Sequence, residues 1–157
     1  MTNLAFARNL TVRTANDFYD HVHNPRRAKR QGRPRFRNTG KFVQTYTDAK
    51  TKTYESLVTE SAKSAMGSTE PLETPVSVYL FIRLPIPKSY PKKRQEACLG
   101  GSELPSKKPD IDNIAKSVCD GMNGVVFKDD CQIVQINAKK VYSSVPGVDV
   151  MVREELP

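Results

Sequence analysis

Asp110, Asp112 and Lys116 fall within seven residues of one another, and the acidic pair Asp129-Asp130 follows further along the chain. Carboxylates are the ligands of hard, oxygen-seeking cations such as Mg2+, and a lysine beside them can offset the charge that builds on a phosphate under attack. Each feature also has an ordinary structural account. Asp110 and Asp112 can cap a helix and complement its dipole, and Lys116, four residues after Asp112, can form a surface ion pair worth about 0.2–0.5 kcal/mol. Geometry favours a shared site. From Asp112 to Met122 a helix climbs about 15 Å, and an extended return from Gly124 to Asp130 covers roughly 20 Å, so an antiparallel return predicts Asp130 level with the helix start. Carboxylates brought together in that way repel unless a divalent cation joins them, and such an ion can activate water for attack on phosphorus.

The rest of the composition fits a polyanionic substrate. The 157 residues suffice for one domain, and the net charge of +8 with a pI near 9.5 attracts nucleic acid, although basicity alone leaves other basic proteins open. From His21 to Thr47 there is no acidic residue, while Arg26, Arg27, Lys29, Arg30, Arg33, Arg35, Arg37 and Lys41 are all cationic. Pro25, Gly32, Pro34 and Gly40 keep this stretch from extending a regular element far, so it reads as an ordered basic loop anchored by Phe36, Phe42 and Tyr46. His21 and His23 read as exposed polar residues. The longest apolar run, Val76 to Pro87, is too short to span a bilayer and is broken by Ser77 and Arg83. Cys98, Cys119 and Cys131 lack metal-type pairing and read as reduced thiols of a cytoplasmic protein. Met1 to Leu10 lacks the apolar core of a signal peptide.

Periodicity supplies the elements that must carry these residues. Short strands are expected at Leu4–Ala7 and Asn9–Arg13. A helix capped by Asp48 runs to Met66, with Tyr54, Leu57, Val58, Ser61, Ala62 and Ala65 on its inner face and Gly67 after its end. Val76 to Leu84 alternates as a strand expected to be buried on both faces, and Pro85 and Pro87 end it. A short helix between Ser89 and Gly101 would carry Lys92, Lys93 and Arg94. The helix from Asp110 would bury Ile111, Ile114, Ala115, Val118, Cys119 and Met122 and stop at Gly121 and Gly124. Val125–Phe127 reads as a short strand, Gln132–Ser144 as a longer one, and Pro146-Gly147 turns into a last strand with Val148, Val150 and Val152. The class is α/β or α+β: a small mixed sheet packed with two main helices in a single domain.

At this point the chain resembles the RusA-type Holliday-junction resolvases, endodeoxyribonucleases common in bacteria and their prophages. The similarity is carried by Lys29 to Phe36 (KRQGRPRF), Tyr46 to Glu55 (YTDAKTKTYE) and, above all, Lys108 to Ile133, and it covers about residues 29–145. The segment of residues 1–28 is longer than the family's usual opening and has no assigned role. The resemblance implies a homodimeric, Mg2+-dependent enzyme, Mn2+ being the possible substitute, that nicks opposing strands of a four-way DNA junction. It places metal ligands at Asp110, Asp112 and Asp130 and the catalytic lysine at Lys116. Asp129 adjoins the third ligand and competes with Asp130 for that role, and Asp120 reads as a surface or supporting residue.

DNA contacts are expected from Lys29, Arg30, Arg33 and Arg35 in the basic arm, from Lys92, Lys93 and Arg94, and from Lys107 and Lys108, as a salt-sensitive binding surface. A two-fold dimer would match the two-fold junction, with no membrane and no organic cofactor implied. Recombination, repair and phage DNA processing all stay open as the setting, in a bacterial or phage-infected cell. Two other readings stay open as well: a non-catalytic DNA-binding protein on the same fold, and a general Mg2+-dependent nuclease of flaps or branched nucleic acid. Retention of all four polar site positions argues against the first, because acids that do no chemistry only repel phosphate.

Overall fold

The computed structural model describes residues 9–14, 35–38, 43–46 and 49–155 of the chain. Its centre is β4 (Val76–Pro85), where Val76, Val78, Leu80, Ile82 and Leu84 all point to one side and are buried. The opposite side is only partly covered, since Phe81 remains 42% exposed. The expectation of burial on both faces therefore fails, and the reason is the sheet's one-sided helix cover. Four strands form the sheet in the order β1-β6-β4-β5, with β1 (Asn9–Thr14), β5 (Ile133–Ser143) and β6 (Gly147–Glu154). β5 runs parallel to β4, whereas β6 is antiparallel both to β4 and to β1. A parallel neighbour requires a crossover, and the chain between β4 and β5 supplies it with two helices.

Three helices occur among the described residues: α1 (Ala49–Met66), α2 (Lys92–Leu99) and α3 (Ile111–Met122). In α1 the buried residues Tyr54, Val58, Ala62 and Met66 recur every four positions and face the core. Ala65, expected on that face, is exposed, and Asp48, its expected cap, lies outside the described residues. Gly67 ends the helix at φ 58°, and its N–H reaches the Lys63 carbonyl at 2.9 Å. That left-handed conformation is open to glycine at little steric cost.

Helix α3 buries Ile114, Ala115, Val118, Cys119 and Met122 as expected, but Ile111 remains 36% exposed at its first turn. Gly121 does not stop it. A methyl at that position would lie 2.8 Å from the Glu55 carbonyl oxygen and 2.8 Å from Val58 Cβ, so the glycine permits α1 and α3 to pack backbone to backbone. Thr59 Oγ1 seals the contact by donating to the Gly121 carbonyl at 2.7 Å.

Two further expectations change. Val125–Phe127 forms a tight turn with isolated bridges to Leu72 and Asn123 rather than a strand. Phe127 and Val126 are fully buried there, so the apolar run is a core plug, which a short hydrophobic stretch cannot be told from by pattern alone. In the basic arm, Arg35–Asn38 (β2) and Val43–Tyr46 (β3) pair as an antiparallel ladder. Regular pairing therefore persists across a stretch read as loop. β1 coincides with the strand expected at Asn9–Arg13 and makes part of the N-terminal segment an outer strand of the sheet. The strand expected at Leu4–Ala7 lies outside the described residues.

Candidate active site

Helix α3, the turn at Asp130 and the first half of β5 meet at a cleft of about 590 Å3. Asp112, Lys116, Asp120 and Asp130 line it, and Ile111, Ala115, Val134 and Ile136 supply its apolar wall. Asp112, Lys116 and Asp120 stand four residues apart and so share one stripe of α3. Asp130 comes from the opposite wall, in the one-turn 3-10 helix Asp130–Gln132 that leads into β5. Its charge helps raise the Cys119 thiol, whose pKa is pushed up to about 11 mainly by burial and then by Asp120 and Asp130, with Lys116 opposing. Asp112, from the first turn of α3, lines the same cleft as Asp130.

Asp110 is the residue just before α3, with extended backbone at φ −74° and ψ 141°. Its side chain makes no capping hydrogen bond, so of its two ordinary accounts only the helix dipole is left. It is exposed at the helix start and does not line the cleft. Asp129 has a different occupation. Its carboxylate accepts from the Cys131 N–H at 2.9 Å while its own N–H donates to Gln132 Oε1 at 2.9 Å, a reciprocal capping box. Those bonds to Cys131 hold the Asp129 carboxyl below its ordinary pKa. Of the acidic pair, Asp129 builds the turn and Asp130 faces the cleft.

Lys116 pairs with Asp120 at 3.2 Å, and its side chain is 75% exposed. Glu55 on α1 belongs to the same neighbourhood: burial first, then the Asp120 carboxylate, raises its pKa, while Lys116 and Lys52 lower it. The i,i+4 spacing of Lys116 and Asp120 was the one available sign of this pairing. No sequence signal marked Glu55.

The metal site needs a separate test of fit. Among the described residues, no group of three or more His, Cys, Asp or Glu side chains is gathered closely enough to cage an ion. Magnesium does not require such a cage, because it keeps several waters and is commonly held by one or two carboxylates together with substrate phosphates. Asp112 and Asp130, on facing walls of one cleft, offer oxygen ligands of that kind.

The cationic residues divide. Lys92, Lys93, Lys107 and Lys108 are exposed. Arg94 is already engaged: its guanidinium makes a bidentate contact with Glu103, at 2.7 to 3.1 Å, and lies 3.7 Å from the Tyr90 ring centroid. The same contact holds the Glu103 carboxyl below its usual pKa. Lys29, Arg30 and Arg33, with His21 and His23, lie outside the described residues, and Arg35 opens β2.

A one-sided mixed sheet bearing a cleft lined by carboxylates and a lysine beside its parallel edge defines a small α+β domain. Residues 25–153 match the family described as endodeoxyribonuclease RusA, and the chain belongs to that family of DNA-cleaving, divalent-metal-dependent enzymes. It is also 37% identical over 126 residues to the uncharacterised protein YqaN of Bacillus subtilis (strain 168), covering 79% of this chain and 88% of that one. No helix among the described residues is long and apolar enough to cross a membrane.

Proposed function

We propose that this protein is a Mg2+-dependent endodeoxyribonuclease that resolves four-way DNA junctions, acting as a homodimer that places paired nicks in opposing strands. The observation that carries the proposal is that Asp112 and Lys116 on α3 and Asp130 from the opposite wall line one cleft in a chain of this family. Asp112 and Asp130 would hold the cation, with Asp110 joining from the helix start. When bound, the ion supplies positive charge to the phosphodiester oxygens and lowers the pKa of the attacking water.

The chain's own residues do the rest. Lys116 is held at the cleft by Asp120 in an exposed pair, an interaction worth only about 0–1 kcal/mol, so an incoming phosphate can draw the ammonium away at little cost. There it offsets the negative charge that develops on the phosphoryl oxygens. Departure of the 3′ oxygen leaves a 5′-phosphate, an end that can be ligated. A two-fold dimer presents two such clefts to a junction that is itself two-fold, and the exposed lysines supply salt-sensitive affinity.

Purified protein incubated with a synthetic four-way junction, the matching linear duplex and a flap, each with Mg2+ or chelator, tests this. Paired Mg2+-dependent nicks confined to the junction are expected. Equal cutting of the flap would make the protein a general branched-DNA nuclease, and binding without cutting would make it a DNA-binding module.

A further inference from the structure

Asp110 raises a question of orientation, because its carboxylate caps nothing and a ligand must be held in place to bind well. The backbone around it is gripped from an unexpected side. Lys140, on β5, extends its Nζ to the Lys107 carbonyl at 3.1 Å and to the Pro109 carbonyl at 2.9 Å. Those carbonyls sit three residues and one residue before Asp110. On its other side, the Asp110 carbonyl accepts the Ile114 N–H at 3.2 Å, the first turn of α3. The peptide on each side of the Asp110 Cα is therefore tied, one to the helix and one to the sheet. Pro105 and Pro109 are buried, so the loop is packed down as well as bonded. Lys140 pairs in register with the buried core residue Ile82, and it is itself half-buried. The strand that follows Asp130 also fastens the loop that presents Asp110.

We infer that Lys140 is a positioning residue for the candidate metal site: two of its ammonium hydrogens fix the 107–109 loop and so aim the Asp110 carboxylate. This rests on the proposed role of Asp110 as a metal ligand. The sign of the effect separates positioning from simple charge. A positive charge near a cation site repels the cation, so deleting Lys140 should tighten metal binding if charge were all that mattered. If Lys140 positions a ligand, deleting it weakens binding, in the way that loss of an outer hydrogen-bond partner typically costs about 10- to 100-fold.

The experiment is Mn2+ titration without DNA, following the free-ion electron paramagnetic resonance signal, for the unmodified protein, Lys140→Met, Lys140→Arg and Asp110→Asn. Melting curves in chelator establish folding for each. Lys140→Met is expected to weaken Mn2+ about tenfold. Lys140→Arg, which keeps charge and donors, should stay within about threefold of the unmodified protein. Placed on Asp110→Asn, Lys140→Met should weaken binding no further, because the two residues act as one unit. Should Lys140→Met fail to fold, Lys140→Gln replaces it, its uncharged amide on a shorter stem weakening the hold on both carbonyls, with a smaller loss expected.

Unchanged or tighter Mn2+ binding by the Met or Gln variant overturns the inference, as does full additivity with Asp110→Asn. Absence of Mn2+ binding by the unmodified protein would instead sink the metal-site reading itself. Failure to cut a junction despite Mn2+ binding would count against the proposed activity and leave the positioning result standing.

Discussion

Lys116 has two claims on it, the Asp120 carboxylate 3.2 Å away and the phosphate that the proposal brings to the cleft. Replacing it distinguishes them. Lys116→Ala should slow junction cleavage by about 10²- to 10³-fold, the scale of losing one charge-stabilising donor, with the circular dichroism spectrum unchanged. A rate within a factor of two of the unmodified enzyme would leave only the surface ion pair. Asp112→Asn should abolish cleavage while holding or raising junction affinity in chelator, since it removes a ligand and a negative charge that faces phosphate; loss of binding would assign Asp112 to folding instead. The acidic pair divides by the same logic. Asp130→Asn should remove activity and leave the melting temperature intact, whereas Asp129→Ala should lower the melting temperature because the carboxylate that accepts from the backbone N–H groups of the turn is removed. Helix rise and an extended return placed Asp112, Lys116 and Asp130 near one another in the sequence reading, and all three line one cleft, while the roles assigned to them came from the family resemblance. Sequence could not choose between Asp129 and Asp130, since both are acids in one turn and only backbone direction separates them. Lys140 was unreadable for another reason: its partners are carbonyl oxygens, which carry no residue identity.

Among elements, α3 was the best forecast and also the most instructive. Its buried stripe followed from period, yet Gly121 was read as a stop when it is a point of contact. Glycine in a helix costs about 1 kcal/mol relative to alanine, so propensity alone would favour Gly121→Ala. Packing opposes that gain, because the new methyl would meet the Glu55 carbonyl oxygen and Val58 Cβ at 2.8 Å, neither of which can rotate aside. Overpacking of this kind costs about 1–3 kcal/mol, so Gly121→Ala should destabilise the fold on balance, as read by the denaturant midpoint. A rise in stability would show that α1 and α3 can separate freely. The Val125–Phe127 plug was missed because three apolar residues carry no period, and the hairpin of β2 and β3 because Gly and Pro mark breaks without showing what lies between them. Strand alternation, by contrast, placed β4, β5 and β6 to within about two residues, the usual uncertainty of element ends.

For the whole molecule, the excess of 25 basic over 17 acidic residues sets up a field that gathers DNA before any particular contact forms. The acids of the cleft oppose that field locally, so cations elsewhere must carry the affinity. Lys107 and Lys108 stand closest in sequence to Asp110 and are exposed, whereas Arg94 is occupied by Glu103 and Tyr90. The candidates are therefore not equivalent. Each phosphate neutralised on duplex DNA adds about 0.9 to the slope of log affinity against log salt concentration. Lys107→Ala with Lys108→Ala should weaken junction binding in chelator and flatten that slope by about 1 to 2 units. Arg94→Ala should leave the slope nearly unchanged, because the guanidinium already has a carboxylate and an aromatic ring as neighbours. Equal slopes for all three proteins would move the DNA track away from the α3 loop altogether. A larger effect from Arg94 would mean that phosphate outcompetes Glu103 for it, in which case junction binding should release the Glu103 carboxyl and raise its pKa towards the ordinary value.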